Sequence, residues 1–357
     1  MKLKSAFLAT TAILAAGNAL AADVSVYGQV NKLAVSADNG VESNTEIVDN
    51  DASSTRFGFK VNQQLENGLV ASALLELQSE ANSSSSTDFG DDESNQDGQS
   101  ISERHSRVGL GGSFGTVLIG RTSESTDGIS EQDLGGVADV MYSDLNAVGG
   151  SIHWRKKSDG TEIGVSGSEK DLNDLYSNLD GGRTNLVRYD TPVVNGVQGS
   201  VSVASGGDIA VAAKYKGKID RFAIKAGVGI KKHESSDDIK HDISGSASIK
   251  CEESGVAATV AMGQRTHETA GRKDGEFLYT KLSYAPVNSK MEYAIDYGTS
   301  ESISADKEEV TSYGVGTQYN LAKGVSTSLM YRQFEADKLS DEVEDIKVIS
   351  AGLKVKF

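Results

Sequence analysis

The sequence predicts an all-β protein, a transmembrane antiparallel β-barrel. Three observations carry that reading. Short stretches alternate polar and apolar residues with period two, the connections alternate between tight turns and long acidic segments, and beyond the N-terminus no run of 18 apolar residues exists to make a membrane helix. Composition agrees: 39 Gly against only 2 Pro and a single Trp suits a chain of many turns.

The N-terminus reads as a secretory signal over residues 1–21. Lys2 and Lys4 precede the apolar run 6–16, and Ala19-Leu20-Ala21 supplies the small-residue cleavage pattern. Residues 22–357 then form one barrel domain. Without Lys2 and Lys4 the 35 Lys+Arg fall to 33 against 51 Asp+Glu, a net charge of −18. So acidic a chain is not expected to bind nucleic acid. Cys251 is alone, so no intrachain disulfide is available and stability must rest on the hydrogen-bonded wall.

The alternation can be followed along the chain. In TRFGFKVNQQL, Phe57, Phe59, Val61 and Leu65 share one face, while Arg56, Gly58, Lys60 and Asn62 share the other. The next run, LVASALLELQ, is less regular, with Val70 and Leu74 on the face expected to be polar. In SGSASIKCE, Ala247, Ile249 and Cys251 alternate with Ser246, Ser248, Lys250 and Glu252. The last strand is the clearest: Ile349, Ala351, Leu353, Val355 and Phe357 oppose Ser350, Gly352, Lys354 and Lys356.

A soluble sandwich also alternates, so the connections decide. Tight turns are expected at Glu66-Asn67-Gly68, Ser113-Phe114-Gly115, Gly217-Lys218, Glu253-Ser254-Gly255 and Ala322-Lys323-Gly324. Between them lie long acidic connections: 36–54 holds five acids and no Lys or Arg, 79–103 seven and none, and 335–345 six with one lysine. Ten residues at about 3.3 Å each, tilted about 45°, rise roughly 23 Å, the height of an outer-membrane barrel's apolar band.

Gly111-Gly112-Ser113-Phe114-Gly115 fits G-x-S-x-G, yet a nucleophile elbow needs a helix after the serine. Thr116-Val117-Leu118-Ile119 is strand-forming instead, so Ser113 is expected in a hairpin turn and no catalytic residue is assigned. The five histidines, His105, His153, His233, His241 and His267, show no zinc spacing, and no 12-residue calcium loop is present. Neither cofactor nor metal is expected.

Residues 122–150 hold Glu124, Asp127, Glu131, Asp133, Asp139 and Asp144 without one basic residue. Acids this dense need facing cations or water. Inside a barrel, Arg56, Lys60, Arg107 and Arg188 are the inward bases available to face them, and opposed charges across a water-filled constriction select solutes by charge and dipole. As an external loop the same segment would simply be solvated. The neighbouring runs GGSIHWRKK and TEIGVSGSE, joined by Ser158-Asp159-Gly160, count as two further strands or as part of a long loop of about 122–183, giving 18 or 16 strands. Sixteen is favoured, because Ile152 and Trp154 make too short an apolar face to cross a membrane.

The segments SSTRFGFKVNQQLENGLVASALLELQSE, SRVGLGGSFGTVLIGR, GGRTNLVRYDTPVVNGVQGSVSVASG and ISAGLKVKF, in that order, resemble the general trimeric porins of Gram-negative bacteria, particularly those of alphaproteobacteria. The resemblance implies a third loop folded into the barrel to narrow the pore, a homotrimer among outer-membrane lipid and lipopolysaccharide, and Phe357 as the aromatic signal read by the barrel-assembly machinery. It implies passive diffusion of small hydrophilic solutes, for which the acids suggest weak cation preference. Two other classes remain as alternatives. An outer-membrane barrel enzyme would have to use His233 or His241 near Asp237 and Asp238, and a structural or adhesive barrel would lack the charged constriction.

Overall fold

The computed structural model describes residues 22–86, 100–165, 168–234, 236, 238–305 and 307–357. The expected signal, Asp237 and 87–99 of the acidic 79–103 connection lie outside the described residues. Among the described residues no helix is long and apolar enough to cross a membrane.

In chain order the strands are β1 (Asp23–Asp38), β2 (Ser43–Asp49), β3 (Arg56–Gln64), β4 (Val70–Glu80), β5 (Ser100–Gly112), β6 (Gly115–Ser123), then the two-residue β7 (Gly164–Val165) and β8 (Ser168–Glu169) inside a loop. They continue with β9 (Arg183–Asp190), β10 (Val197–Ala204), β11 (Ile209–Ile219), β12 (Phe222–Lys232), β13 (Ile239–Cys251) and β14 (Val256–His267). The last are β15 (Gly275–Tyr284), β16 (Met291–Glu301), β17 (Glu309–Ala322), β18 (Val325–Asp337) and β19 (Ile346–Lys356). Each wall strand pairs antiparallel with the next, and β19 returns to β1, with Gln29 opposite Lys356 and Asp38 opposite Lys347. Closure removes the sheet's edges, so the backbone is satisfied within the wall.

β2 and β3 share one position. β2 pairs with the Lys32–Asp38 half of β1 and β3 with the Asp23–Gln29 half, so the closed antiparallel barrel has sixteen positions. The expectation of a long outer loop over 36–54 therefore needs correcting. Its acids sit largely on a hairpin, and only 50–55 leaves the wall, tied down where Gln29 and Asn31 donate to the carbonyl of Ser53 at 2.7 and 2.8 Å. The expected turn at Gly217-Lys218 also moves, since β11 runs on to Ile219 and pairs with Phe222.

The alternation holds. On β19, Ile349, Leu353 and Val355 are exposed on the outer face, whereas Ser350 and Lys354 are buried within. Phe57 and Phe59 also face outward. The runs around Trp154 do form a ribbon, but within the loop rather than the wall: Trp154 N donates to the carbonyl of Lys170 at 3.0 Å, and Lys156 N to that of Thr161 at 2.8 Å. Trp154 is fully buried in an apolar cluster inside the barrel, where Val137, Met141, Leu145, Ile152 and Tyr176 of the loop join Phe277, Tyr279, Met330 and Phe334 of the wall. Burial of this apolar surface holds the loop inside.

Candidate pore constriction

The connection 124–182 between β6 and β9 lies along the inner wall. It has almost no regular structure, so its N–H groups need other acceptors. Inward serines supply them. Ser125 N donates to Ser202 Oγ at 2.9 Å, Gln132 N to Ser246 Oγ at 2.7 Å, Leu134 N to Ser248 Oγ at 3.0 Å and Gly136 N to Ser283 Oγ at 3.1 Å. The small wall residues also admit the loop sterically, since a Cβ on Gly298 would strike Leu145 and one on Gly316 would strike Met141.

The six acids of 122–150 separate into two sets. Glu124, Asp133 and Asp139 are committed to the wall. Glu124 pairs with Lys231 at 2.9 Å, Asp133 pairs with Lys281 and accepts from Thr259 Oγ1 at 2.6 Å, and Asp139 pairs with Lys354 and accepts from Ser326 Oγ at 2.6 Å. Burial pushes Asp133 up, but the Lys281 ammonium and its other donors outweigh that and hold it below the usual carboxylate range.

Asp127, Glu131 and Asp144 form the other set, with Asp180 beside them. The Asp127 carboxylate stands 3.6 Å from Arg183, and its carbonyl accepts from Lys214 Nζ at 2.8 Å. Glu131 forms no hydrogen bond or ion pair among the described residues, and burial followed by the nearby Asp180, Asp144 and Asp127 charges pushes it well above the usual range. Burial lifts Asp144 to about 6 against the donated hydrogen bond from Tyr142 Oη at 3.2 Å. Asp180 is lifted to about 7, again chiefly by burial, although the N–H groups of Ser130 and Gly128 oppose the shift at 2.8 and 2.5 Å.

The expected bases are equally uneven. Arg188 is turned to Asp190 at 2.8 Å and to the carbonyls of Ser123 and Glu124 at 3.1 and 3.0 Å, so it pins the loop's start. Lys60 lies over the Tyr27 ring at 4.2 Å, and Arg56 stands 3.7 Å from Glu76. Arg107 is half-buried, and among the described residues it makes no hydrogen bond or ion pair.

Sequence reasoning missed Arg104, which binds Glu76 at 2.9 Å and Ser54 Oγ at 3.0 Å beside Arg56. Strict alternation puts Arg104 and Arg107 on opposite faces. The β4–β5 register passes from Glu76 opposite His105 to Leu77 opposite Glu103, leaving Arg104 as the extra residue of a β-bulge that breaks that parity.

A profile of the Gram-negative porin family matches residues 9–339. The chain belongs to that family. This agrees with the closed outer-membrane barrel and with the inward third loop expected from the resemblance. No curated protein matches this porin in sequence. Among solved structures it is similar to an anion-selective porin from Comamonas acidovorans, with a TM-score of 0.67 and 18% identity over 94% of this chain and 100% of that one. The in-vitro folded trimer form of OmpT from Vibrio cholerae aligns with a TM-score of 0.59 and 13% identity, over 94% of this chain and 99% of its own. OmpF of Salmonella typhi, solved with daunomycin, aligns with a TM-score of 0.57 and 14% identity, over 94% and 97%.

The sites weighed for an enzyme look different in place. His233 Nε2 lies 3.1 Å from Asp242, but Asp242 is also gripped by Arg265 at 2.9 Å. Ser113 stands in the turn between β5 and β6, where Gly112 pairs with Gly115.

Proposed function

We propose that this porin is an open, water-filled channel for passive diffusion of small hydrophilic solutes and ions, with weak cation preference and no enzymatic activity. One observation supports it most: the loop presents Asp127, Glu131, Asp144 and Asp180 away from its wall anchors, while Arg56, Arg104, Arg107 and Arg183 stand on β3, β5 and β9. Beside the arginines a cavity of about 440 Å³ is lined by Arg56, Lys60, Glu76 and His105 on its polar side and by Leu74 and Phe357 on its apolar side. Preference must be read from this chain's own charges, since 18% identity to an anion-selective porin carries the fold alone. Stepwise current in planar bilayers tests the reading. A protein that inserts and carries no current would be a structural barrel.

The functional unit in this proposal is a homotrimer in outer-membrane lipid and lipopolysaccharide, exported by residues 1–21 and inserted by the barrel-assembly machinery through Phe357. Phe357 closes the wall at its end: its N–H donates to the carbonyl of Gly28 and its carbonyl accepts from Gly28 N, both at 3.0 Å, with the ring exposed. Deleting Phe357 should cut mature protein in the outer membrane several-fold, measured by membrane fractionation. Unchanged insertion would remove that role.

A further inference from the structure

The long connections crowd one end of the barrel and the tight turns the other, the end that faces the periplasm in outer-membrane barrels. Charge is sorted the same way. At the loop end 335–345 holds six acids and one lysine, 36–54 holds five acids and no Lys or Arg, and the third loop adds Asp127, Asp144 and Asp180. Close to the turns the inner wall carries lysines instead: Lys216 on β11, Lys225 on β12, Lys250 on β13, Lys60 on β3 and Lys356 on β19.

Register puts these lysines on the lumen side. Lys216 and Lys225 stand directly opposite each other, on the face of Ala212 and of Gly229, where a Cβ would strike Thr126 of the loop. Lys250 shares the face of Ser246 and Ser248, which hold the loop, while Lys60 lies opposite the face of Phe57 and Phe59, and Lys356 shares that of Lys354. Like charges facing across a strand pair are unfavourable in themselves. Higher on the same wall Lys231, Arg265, Lys281 and Arg332 are each paired with an acid, yet none of the five lysines near the turns forms an ion pair among the described residues. Nearby acids do not cancel them. Asp133 and Glu131 approach Lys225, but Asp133 is spent on Lys281 and Glu131 is held above the usual carboxylate range by burial. Asp190 is tied to Arg188 and Glu252 to Lys218, and Glu292 accepts from the N–H of Val137 at 2.9 Å.

The bond from Lys214 Nζ to the Asp127 carbonyl marks the level of the third loop, and Lys216 lies about 7 Å further along the strand toward the turns. Acidic and basic zones therefore follow each other along one path. A wall that rises roughly 23 Å exceeds twice the screening length of about 10 Å at 0.1 M salt, so each zone gathers its own counterion, cations at the loop end and anions at the turns. A voltage that drives these two populations toward each other fills the middle of the pore with ions, and the opposite voltage empties it. We infer that the channel rectifies, conducting more readily when the loop end is positive, so that cations move toward the periplasmic turns and anions move outward. This property rests on the channel reading proposed above.

Single-channel current in potassium chloride, equal on both sides of the bilayer and buffered at pH 8, tests it. A peptide tag ahead of residue 22, close to the turns because Asp23 pairs with Asn62 near the end of β3, reports orientation when its binding protein is added to one side. At 0.1 M the current with the loop end positive should exceed the reverse current by about 1.5-fold, and the two should become nearly equal at 1 M, where the screening length is about 3 Å. Lys216→Gln, Lys225→Gln and Lys250→Gln together should remove most of the excess. Lys232→Gln, Lys240→Gln and Lys273→Gln, the same change in net charge made at the loop end, should preserve or enlarge it. Equal currents in the wild-type protein, an excess of the opposite sign or an excess undiminished by salt overturns the rectifier and leaves the channel standing, and so does equal loss of the excess in both triple variants. A protein that carries no current in either direction sinks the channel reading itself, so the two failures are told apart.

Discussion

Replacing Glu131 and Asp144 with Gln and Asn, together with Asp180→Asn, should remove most of the pore's cation preference and most of its pH dependence. All three carboxyls are held above their usual range, chiefly by burial, with Asp144 at about 6 and Asp180 at about 7. The sign follows directly. As pH rises from 5 to 8 Asp144 and Asp180 lose protons, the loop becomes more negative, and local cation concentration increases. In a tenfold salt gradient the wild-type zero-current potential should therefore move toward the cation side as pH rises. The triple variant should stay flat and lie at least about 10 mV toward the anion side at pH 8, on a scale where full selectivity gives about 59 mV per tenfold gradient. Concentrated salt should shrink the difference, because the screening length is about 3 Å at 1 M. A triple variant that keeps the wild-type pH profile would mean these groups do not border the conducting path.

This expectation is narrower than the one that the acid count of 122–150 suggests. Counting treats all six carboxylates as one negative front, whereas Glu124, Asp133 and Asp139 are spent on Lys231, Lys281 and Lys354. Those lysines stand on β12, β15 and β19, up to more than two hundred residues along the chain, and no local pattern reveals such pairings. What local pattern could reveal was legible. Residues two apart on a strand share a face whatever the tertiary context, so the outer rows of β3 and β19 could be read directly. Where the period is broken the reading failed: Arg104 is inverted by a bulge, and 50–55 leaves the wall between β2 and β3. In 36–54 the acids made a hairpin look like a loop, because a strand end beyond the membrane tolerates charge as readily as a loop does. Asp180 went unnoticed since it lies outside the dense acidic run and is brought back to Gly128 and Ser130 only by the loop's fold.

Lys281 should be the anchor whose loss is felt most. Its ammonium is fully buried, paired with Asp133 and donating to the carbonyls of Gly136 and Met141 at 3.1 and 2.9 Å, so it ties together two stretches of the loop. Lys281→Met removes the cation and leaves Asp133 buried opposite an apolar side chain. Breaking one side of a buried pair costs about 3–5 kcal/mol, because the remaining charge has no compensation. Here the cost falls on docking of the loop, since β15 keeps its backbone pairing to β14 and β16. The variant should still insert, but its folded form should be lost at a lower temperature, and its single-channel current should be noisier as the loop samples positions off the wall. The second substitution distinguishes a lost pair from a lost volume. Adding Asp133→Leu to Lys281→Met removes the stranded charge and should restore at least about half of the stability, as replacement of whole buried pairs by apolar groups often does. A Lys281→Met pore as quiet and heat-resistant as the wild type would show that serine hydroxyls and the Trp154 cluster suffice to hold the loop. If the double variant were no better than the single, the three bonds of the ammonium, rather than the isolated carboxylate, would carry the cost.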